Sequence, residues 1–230
     1  MPRRRIIITM MIEADTTLLR LMTWLSPAFP TGAFAYSHAL EWAVEAGDIA
    51  READLLPWIE DLLEHGAGRS DAILLRHAHR AGDGAALAEV AELAEAATPT
   101  RERRAETLAQ GDAFAIGARV WGAPLLEGLA GAVAYPVAVG ALARAHGVAE
   151  DATVTAFLHA FTANLVGAAV RLVPLGQTAG LRLLAALEPT IHGVAAGTRG
   201  AGLDDLGGAC FRSDIASMRH ETQYTRLFRT

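Results

Sequence analysis

Histidine and cysteine side chains are the first candidates for chemistry, because they form many of the metal sites in proteins. The chain has eight histidines, and no two stand four residues apart, the spacing that stacks two imidazoles on one helical face. His77 and His79 are two residues apart and point away from each other on a helix. The single cysteine, Cys210, excludes a cysteine-rich zinc site and an internal disulfide. No metal site within one helix is therefore expected, whereas a site built from distant segments stays open.

The signatures of common enzyme classes are also missing from the sequence. It has no G-x-x-x-x-G-K-[ST] loop, no G-x-S-x-G turn, no H-E-x-x-H and no G-x-G-x-x-G after a strand. It also has no lysine, so it cannot form a lysine Schiff base or hold a nucleotide phosphate with a P-loop lysine. We therefore expect a protein that is not an enzyme. The alternative is a stand-alone acid/base enzyme that uses Glu41 or His38.

Two internal groups of polar residues could meet a partner. Ser37 and Glu41 are four residues apart in a helix predicted over 33–46, so we expect them to share one face. Glu41 would face a partner or solvent, although the residues by themselves favour a capped amphipathic helix with no function. Asn164 and Arg171 share a face of an apolar helix predicted over 151–173, and Gln177 follows it. Arg171 needs an acid, exposed carbonyls, water or a partner protein, and the sequence leaves these choices open.

The C-terminal tail, residues 217–230, is rich in arginine and aromatic side chains. These residue types anchor protein interfaces more often than others. Chain ends usually fray, but a Leu-Phe pair close to the end would be costly to leave in water. We therefore predict a docking tail, and its prominent residues are Arg219, Tyr224, Arg226, Phe228 and Arg229.

Helical periodicity runs along almost the whole chain, and strand signals are nearly absent. The pattern predicts one all-α domain, a bundle of about ten helices over 16–230, after a loose extension over 1–15. Pro189 is expected to end a helix, and the glycine-rich segment 193–208 is expected to be a mobile loop. The predicted helices are 16–25, 33–46, 54–65, 71–81, 84–97, 101–121, two shorter ones near Pro124 and Pro136, 151–173, 178–187 and 213–225.

The composition of the chain indicates which partners and which cellular compartment to expect. The chain has 230 residues, is 52% hydrophobic and carries a formal net charge of −6, which argues against a nucleic-acid-binding surface. A single cysteine fits a reducing cytoplasm. The apolar run at 151–173 approaches membrane-spanning length, but His159, Asn164 and Arg171 favour a buried helix and no membrane.

Three segments, in this order along the chain, resemble the UreF family of urease accessory proteins. They read PTGAFAYSHALE at 30–41, NLVGAAVRLVPLGQT at 164–178 and IASMRHETQYTRLFR at 215–229. The tail segment is long and specific, and the resemblance spans about 17–229. Ala35 and Ala39 depart from the serine and glycine expected there, and Thr230 from the usual serine.

The resemblance implies an all-helical, cytoplasmic homodimer that matures urease. Such proteins bind the accessory protein UreD, also called UreH, and recruit the GTPase UreG to deliver nickel to apo-urease. Nickel would pass through the assembly, and no cofactor is expected. Ser37, Glu41, Asn164, Arg171 and Gln177 would face the GTPase or line a nickel passage. Arg219, His220, Glu221, Tyr224, Arg226, Phe228 and Arg229 would dock UreD.

Overall fold

The structure, a computed structural model, describes residues 16–230. These residues form one compact bundle of α-helices with two short 3₁₀ turns, and they contain no β-strand. The prediction of an all-α fold is therefore confirmed, whereas the predicted loose extension over 1–15 lies outside the described residues. The helices are α1 (16–24), α2 (Leu40–Glu45), α3 (Glu52–His65), α4 (Ala67–Arg80), α5 (Gly84–Ala96), α6 (Arg101–Ala118), α7 (Pro124–Glu127), α8 (Tyr135–Ala145), α9 (Glu150–Leu172), α10 (Gln177–Gly197) and α11 (Phe211–His220).

Helix α8 lies at the centre of the bundle and is buried along most of its length. Helix α8 and the segment that leads into it approach α4 and α6 almost backbone to backbone, and two glycines make this approach possible. A Cβ atom added to Gly140 would lie 2.4 Å from the carbonyl oxygen of Leu75, and one added to Gly111 only 1.8 Å from that of Val133. Both separations are far below van der Waals contact, so these two positions require glycine.

Helix α9 is the long apolar helix predicted from the sequence. It packs against α10, α4 and α8 and buries Phe157, Leu158 and Leu165 in the common core. Within the described residues it is the one helix with the length and hydropathy to cross a membrane, by composition alone. Its packing confirms the prediction of a buried core helix. The exposed face of α9 carries small residues such as Gly167.

A buried arginine links helices α4, α9 and α10. Arg76 in α4 is only 1% exposed and donates to the carbonyl oxygen of Ala195 at 2.6 Å and to the hydroxyl of Thr198 at 3.2 Å. It also pairs with Glu150 and, at 2.8 Å, with Asp151 at the start of α9. Each of the three guanidinium nitrogens thus has a partner, which is the condition for burying a charge.

The prediction that Pro189 ends a helix is wrong. Pro189 lies inside α10, which continues to Gly197, so the predicted loop over 193–208 begins only after that residue. A proline in a helix interior costs one backbone hydrogen bond. The cost is offset because Leu187, Ile191 and Val194 continue the buried face of α10 beyond the proline.

The last helix is shorter than predicted. Helix α11 ends at His220, and residues 221–230 continue as an irregular tail that crosses the protein surface. The tail leaves the helical path because its backbone bonds to other parts of the chain.

Candidate partner-docking site

The segment before α2 does not form the continuous helix predicted over 33–46. A 3₁₀ turn, Ala33–Ala35, is followed by extended backbone at Tyr36 and by two residues with positive φ, His38 (56°) and Ala39 (64°). Ser37 therefore does not share a helical face with Glu41. Its hydroxyl instead accepts a hydrogen bond from the Glu41 amide at 3.3 Å.

Glu41 is buried and holds the tail in place. Its carboxylate accepts the backbone N–H of Leu227 at 2.7 Å and that of Phe228 at 3.0 Å. The ring nitrogen Nε2 of His220 lies 3.1 Å from the same carboxylate. The expectation that Glu41 faces a partner or solvent is therefore wrong, because three donors of its own chain surround the side chain.

His220 lies completely buried between two carboxylates. Its Nδ1 atom is 2.8 Å from Glu102 Oε2, while its Nε2 atom faces Glu41. When the ring is protonated, both nitrogens donate, and each carboxylate receives one bond. Burial raises the pKa of Glu102, although His220 and Arg226, which donates at 3.0 Å, oppose this shift. We call Glu41, Glu102, His220 and Arg226 the tail-anchoring cluster.

The end of the tail runs beside the turn that precedes α2. The Arg229 amide donates to the carbonyl oxygen of Ala35 at 2.8 Å. The Ser37 amide and hydroxyl both donate to the main-chain oxygen of Thr230, at 2.8 and 2.7 Å. The Thr230 hydroxyl in turn donates to Glu106 at 2.7 Å. Phe228 and Thr230 are buried as a result.

A second buried group of charges lies beneath the tail. Glu106 pairs with Arg103 at 2.5 Å, one helical turn away on α6. Burial opposes ionisation of Glu106, but Arg103, His38 and the Thr230 hydroxyl together hold its pKa well below the usual range. Burial and the nearby Arg103 lower the pKa of His38 to about 4, so its imidazole is neutral at physiological pH.

His38 also borders a cavity of about 90 Å³ between α4, α6 and the start of α11. Its buried Nδ1 atom faces Glu106 Oε1 at 3.7 Å, which is longer than a hydrogen bond. Asp71, Arg103 and Asp214 line the same cavity, and burial raises the pKa of Asp71 to about 7. None of the five residues predicted to face the GTPase or line a passage borders this cavity.

Arg171 is fixed by aromatic rings instead of by an acid. Its guanidinium carbon lies 3.7 Å from the centre of the Phe34 ring and 4.4 Å from that of Phe228. It donates to the carbonyl oxygens of Phe34 at 2.8 Å and Gly167 at 3.1 Å. This pairing with carbonyls is one of the options that the sequence left open. Nearby, Asn164 donates to the carbonyl oxygen of Tyr36 at 3.3 Å.

The predicted site residues thus separate into two groups. Ser37, Glu41, His220 and Phe228 converge inside the protein and fix the tail, with Asn164 and Arg171 beside them. The outward-facing group is exposed except for the half-buried Glu221 and consists of Gln177, Arg219, Glu221, Tyr224, Arg226 and Arg229. Arg226 belongs to both groups, since it bonds Glu102 from the surface.

Three buried polar residues of α6 were not predicted from the sequence, and two of them, Glu102 and Glu106, bind the tail. Glu102, Glu106 and Gln110 stand four residues apart on α6, and all three are buried. A run of polar residues at i, i+4 and i+8 on a core helix is a signal that could have identified them.

The clusters of charged residues do not form a metal site within the described residues. Within 16–230, no group of three or more histidine, cysteine, aspartate or glutamate side chains has a geometry that could hold a metal ion. The charged clusters described above instead bond parts of the chain to one another.

Comparisons with known proteins agree with the three motifs. The UreF family model matches residues 49–188, more than half of the chain. The urease accessory protein UreF of Rhodopseudomonas palustris strain HaA2 is 57% identical over 231 residues, which cover 95% of each chain. UreF of Bradyrhizobium sp. strain BTAi1 is 54% identical, with 96% of this chain and 95% of that protein covered. UreF of Xanthobacter autotrophicus is 55% identical, with 95% and 93% covered. The chain therefore belongs to the UreF family of urease accessory proteins.

Proposed function

We propose that this chain is a non-catalytic scaffold for urease maturation that binds UreD through its C-terminal tail. As a homodimer in the cytoplasm, it would bridge UreD and the GTPase UreG, regulate GTP hydrolysis by UreG and help to deliver nickel to apo-urease. Nickel is cargo in this account, and the chain keeps no resident cofactor. The relatives, which are urease accessory proteins, support the role in urease maturation. The partners and the direction of transfer are part of the proposal.

The observation that carries the proposal is that the tail contains both buried anchoring residues and fully exposed residues. His220 and Phe228 are buried anchors, whereas Tyr224 is fully exposed and Leu227 is 79% exposed. A tail held by buried charges presents these side chains at fixed positions, so binding need not order the tail first. Large apolar side chains presented in this way favour a protein partner.

A second exposed surface suits the GTPase. Phe34 is largely exposed, and Arg171 is held flat against its ring. Gln177 is exposed at the start of α10, directly after the loop that follows α9. Aromatic and arginine side chains that are fixed before binding are typical of residues that dominate interface energies. We assign this surface, and not the buried Ser37 and Glu41, to contact with UreG.

The acid/base alternative has less support. Glu41 already accepts two backbone amides and faces His220, so its carboxylate has no access to a substrate. His38 is neutral and buried, and it borders the small cavity under the tail.

The test is binding of purified UreD to the full chain. The double variant Tyr224→Ala with Leu227→Ala should bind at least about tenfold more weakly, because both side chains lie at the proposed contact. Its melting temperature should stay close to that of the wild type, since neither side chain belongs to the core. Leu181→Ala, which alters an exposed leucine on α10, is the matched control and should bind normally. Unchanged binding by the double variant would remove the tail from the UreD interface.

A further inference from the structure

Helix α11 is amphipathic, but its large apolar side chains face solvent instead of the core. The face turned toward the protein consists of small or polar residues: Ser213, Ala216, Ser217 and His220. The face turned toward solvent carries Phe211, Ile215 and Met218, which are 69%, 57% and 52% exposed. A surface helix normally turns its large apolar side chains toward the core.

The buried face fixes this orientation. His220 is held between Glu41 and Glu102, and Ser217 shares a hydrogen bond of 2.7 Å with Thr100. Rotating α11 to bury its apolar side chains would break these bonds and expose His220. The apolar face therefore stays exposed for as long as the tail-anchoring cluster is formed.

Phe211, Ile215 and Met218 form a continuous ridge. They are spaced i, i+4 and i+7, so they follow one another along one side of the helix for about 10 Å. Three large apolar residues in a row at this spacing are the pattern by which one helix packs against another. Apolar side chains scattered singly over a surface would carry no such meaning.

The charges beside the ridge indicate what covers it. At 100° per residue, Arg212 and Arg219 both lie on the same flank of the ridge, and both are exposed. Arg212 is also oriented by Trp58, whose ring lies 5.1 Å from its guanidinium, and by Asp48 at 3.7 Å. The half-buried Asp214 lies on the opposite flank. One side of the ridge therefore attracts carboxylates.

A second copy of this chain fits the ridge poorly in the antiparallel arrangement. Two antiparallel copies of α11 would place the same flanks against each other, so arginine would face arginine. A helix from a different chain, with acidic residues along one side of an apolar stripe, meets both the ridge and its basic flank.

We propose that the ridge formed by Phe211, Ile215 and Met218 docks an amphipathic helix of a partner protein, with carboxylates of that helix beside Arg212 and Arg219. The inference rests on the proposed function in one respect, since it takes UreD, bound at the tail, as the protein that provides this helix. The tail and the ridge are then two parts of one interface, both positioned by the tail-anchoring cluster.

The experiment measures binding of purified UreD to the full chain carrying Ile215→Glu and Met218→Glu. Both side chains are exposed, so the helix content and the melting temperature should match those of the wild type. Binding should weaken at least about tenfold, because two carboxylates would replace the apolar contact and repel the acidic flank of the partner. Arg219→Gln should weaken binding at low salt and have little effect at high salt.

The tail variant Tyr224→Ala with Leu227→Ala separates the possible outcomes. If that variant loses UreD while the ridge variant binds normally, the ridge proposal is overturned and the proposed function stands. If neither variant changes binding, both fail. Sedimentation of the chain alone completes the test, since a dimer present in the wild type and lost in the ridge variant would show that a second copy covers the ridge.

Discussion

Replacing Glu41 by alanine tests whether a single buried carboxylate holds the tail. Glu41 accepts the amides of Leu227 and Phe228 and faces Nε2 of His220. After the replacement, water can reach the amide of the exposed Leu227, but the donors of Phe228 and His220 stay buried without an acceptor. Each unsatisfied buried donor costs about 1–3 kcal/mol. We therefore expect a loss of about 3 kcal/mol in the free energy of unfolding from the unsatisfied donors together.

Detachment of the tail sets an upper limit to this loss in the free energy of unfolding. If the anchor is weakened by more than the free energy of tail docking, the tail detaches and the helical bundle remains folded. The amides of Leu227 and Phe228 should then exchange with solvent as fast as those of an unfolded segment, while amides of α8 stay protected. Urea denaturation followed by circular dichroism gives the global stability, and hydrogen exchange gives the local opening.

The control is the removal of an exposed glutamate. Glu64→Ala removes the same charge from an exposed position on α3 and should change stability by no more than about 0.5 kcal/mol. If Glu41→Ala were as stable as this control, with slow exchange at Leu227 and Phe228, the carboxylate would not be the anchor and the reasoning would be refuted.

Three further predictions concern the core, the turn before α2 and the cavity. Gly140→Ala should lower the free energy of unfolding by about 2 kcal/mol, because the added Cβ would meet the Leu75 carbonyl. Gly193→Ala has open space around it and should raise the free energy of unfolding by about 0.5 kcal/mol. Thermal melting compares the two variants. Ala39→Gly should raise the melting temperature slightly, because a positive φ costs alanine roughly 1–2 kcal/mol and glycine loses only part of that gain to chain entropy. Because the pKa of Asp71 is raised, the folded protein keeps a proton that the unfolded chain releases near pH 4. The free energy of unfolding therefore falls as the pH rises from about 4 to about 7. Asp71→Asn should therefore gain stability relative to the wild type across that window, and melting temperatures measured from pH 4 to pH 8 would show a constant difference if Asp71 titrated normally.

The helices were predictable because each buries one face, and burial imposes a 3.6-residue period on the sequence. The period identified α3, α4, α5 and α9 with bounds close to those observed. It failed at Pro189, where a local rule for proline was overridden by packing of Leu187 and Ile191 on both sides of it. It also failed before α2, because the tail bonds that hold Ala35 and Ser37 come from residues almost two hundred positions away.

The site was predictable in composition but not in orientation. The sequence placed Glu41 in the GTPase-facing or passage-lining group and His220 and Phe228 in the docking tail, whereas the structure brings the three residues together. Their exposure could not be inferred, because the partners Glu102 and Glu106 lie on a different helix and give no local signal beyond their spacing. Ala39, which stands where the family pattern has glycine, occupies a backbone conformation that favours glycine.

The proposed role is maturation of urease through a tail that buried charges of the chain hold in place. It is tested by the nickel content and activity of urease in cells that lack their own UreF and express either this chain or its Tyr224→Ala, Leu227→Ala variant at equal levels. The wild-type chain should give active, nickel-loaded urease, and the variant should give little nickel loading or activity. Inactive urease with the wild-type chain, or equal activation by both, would contradict the proposed role.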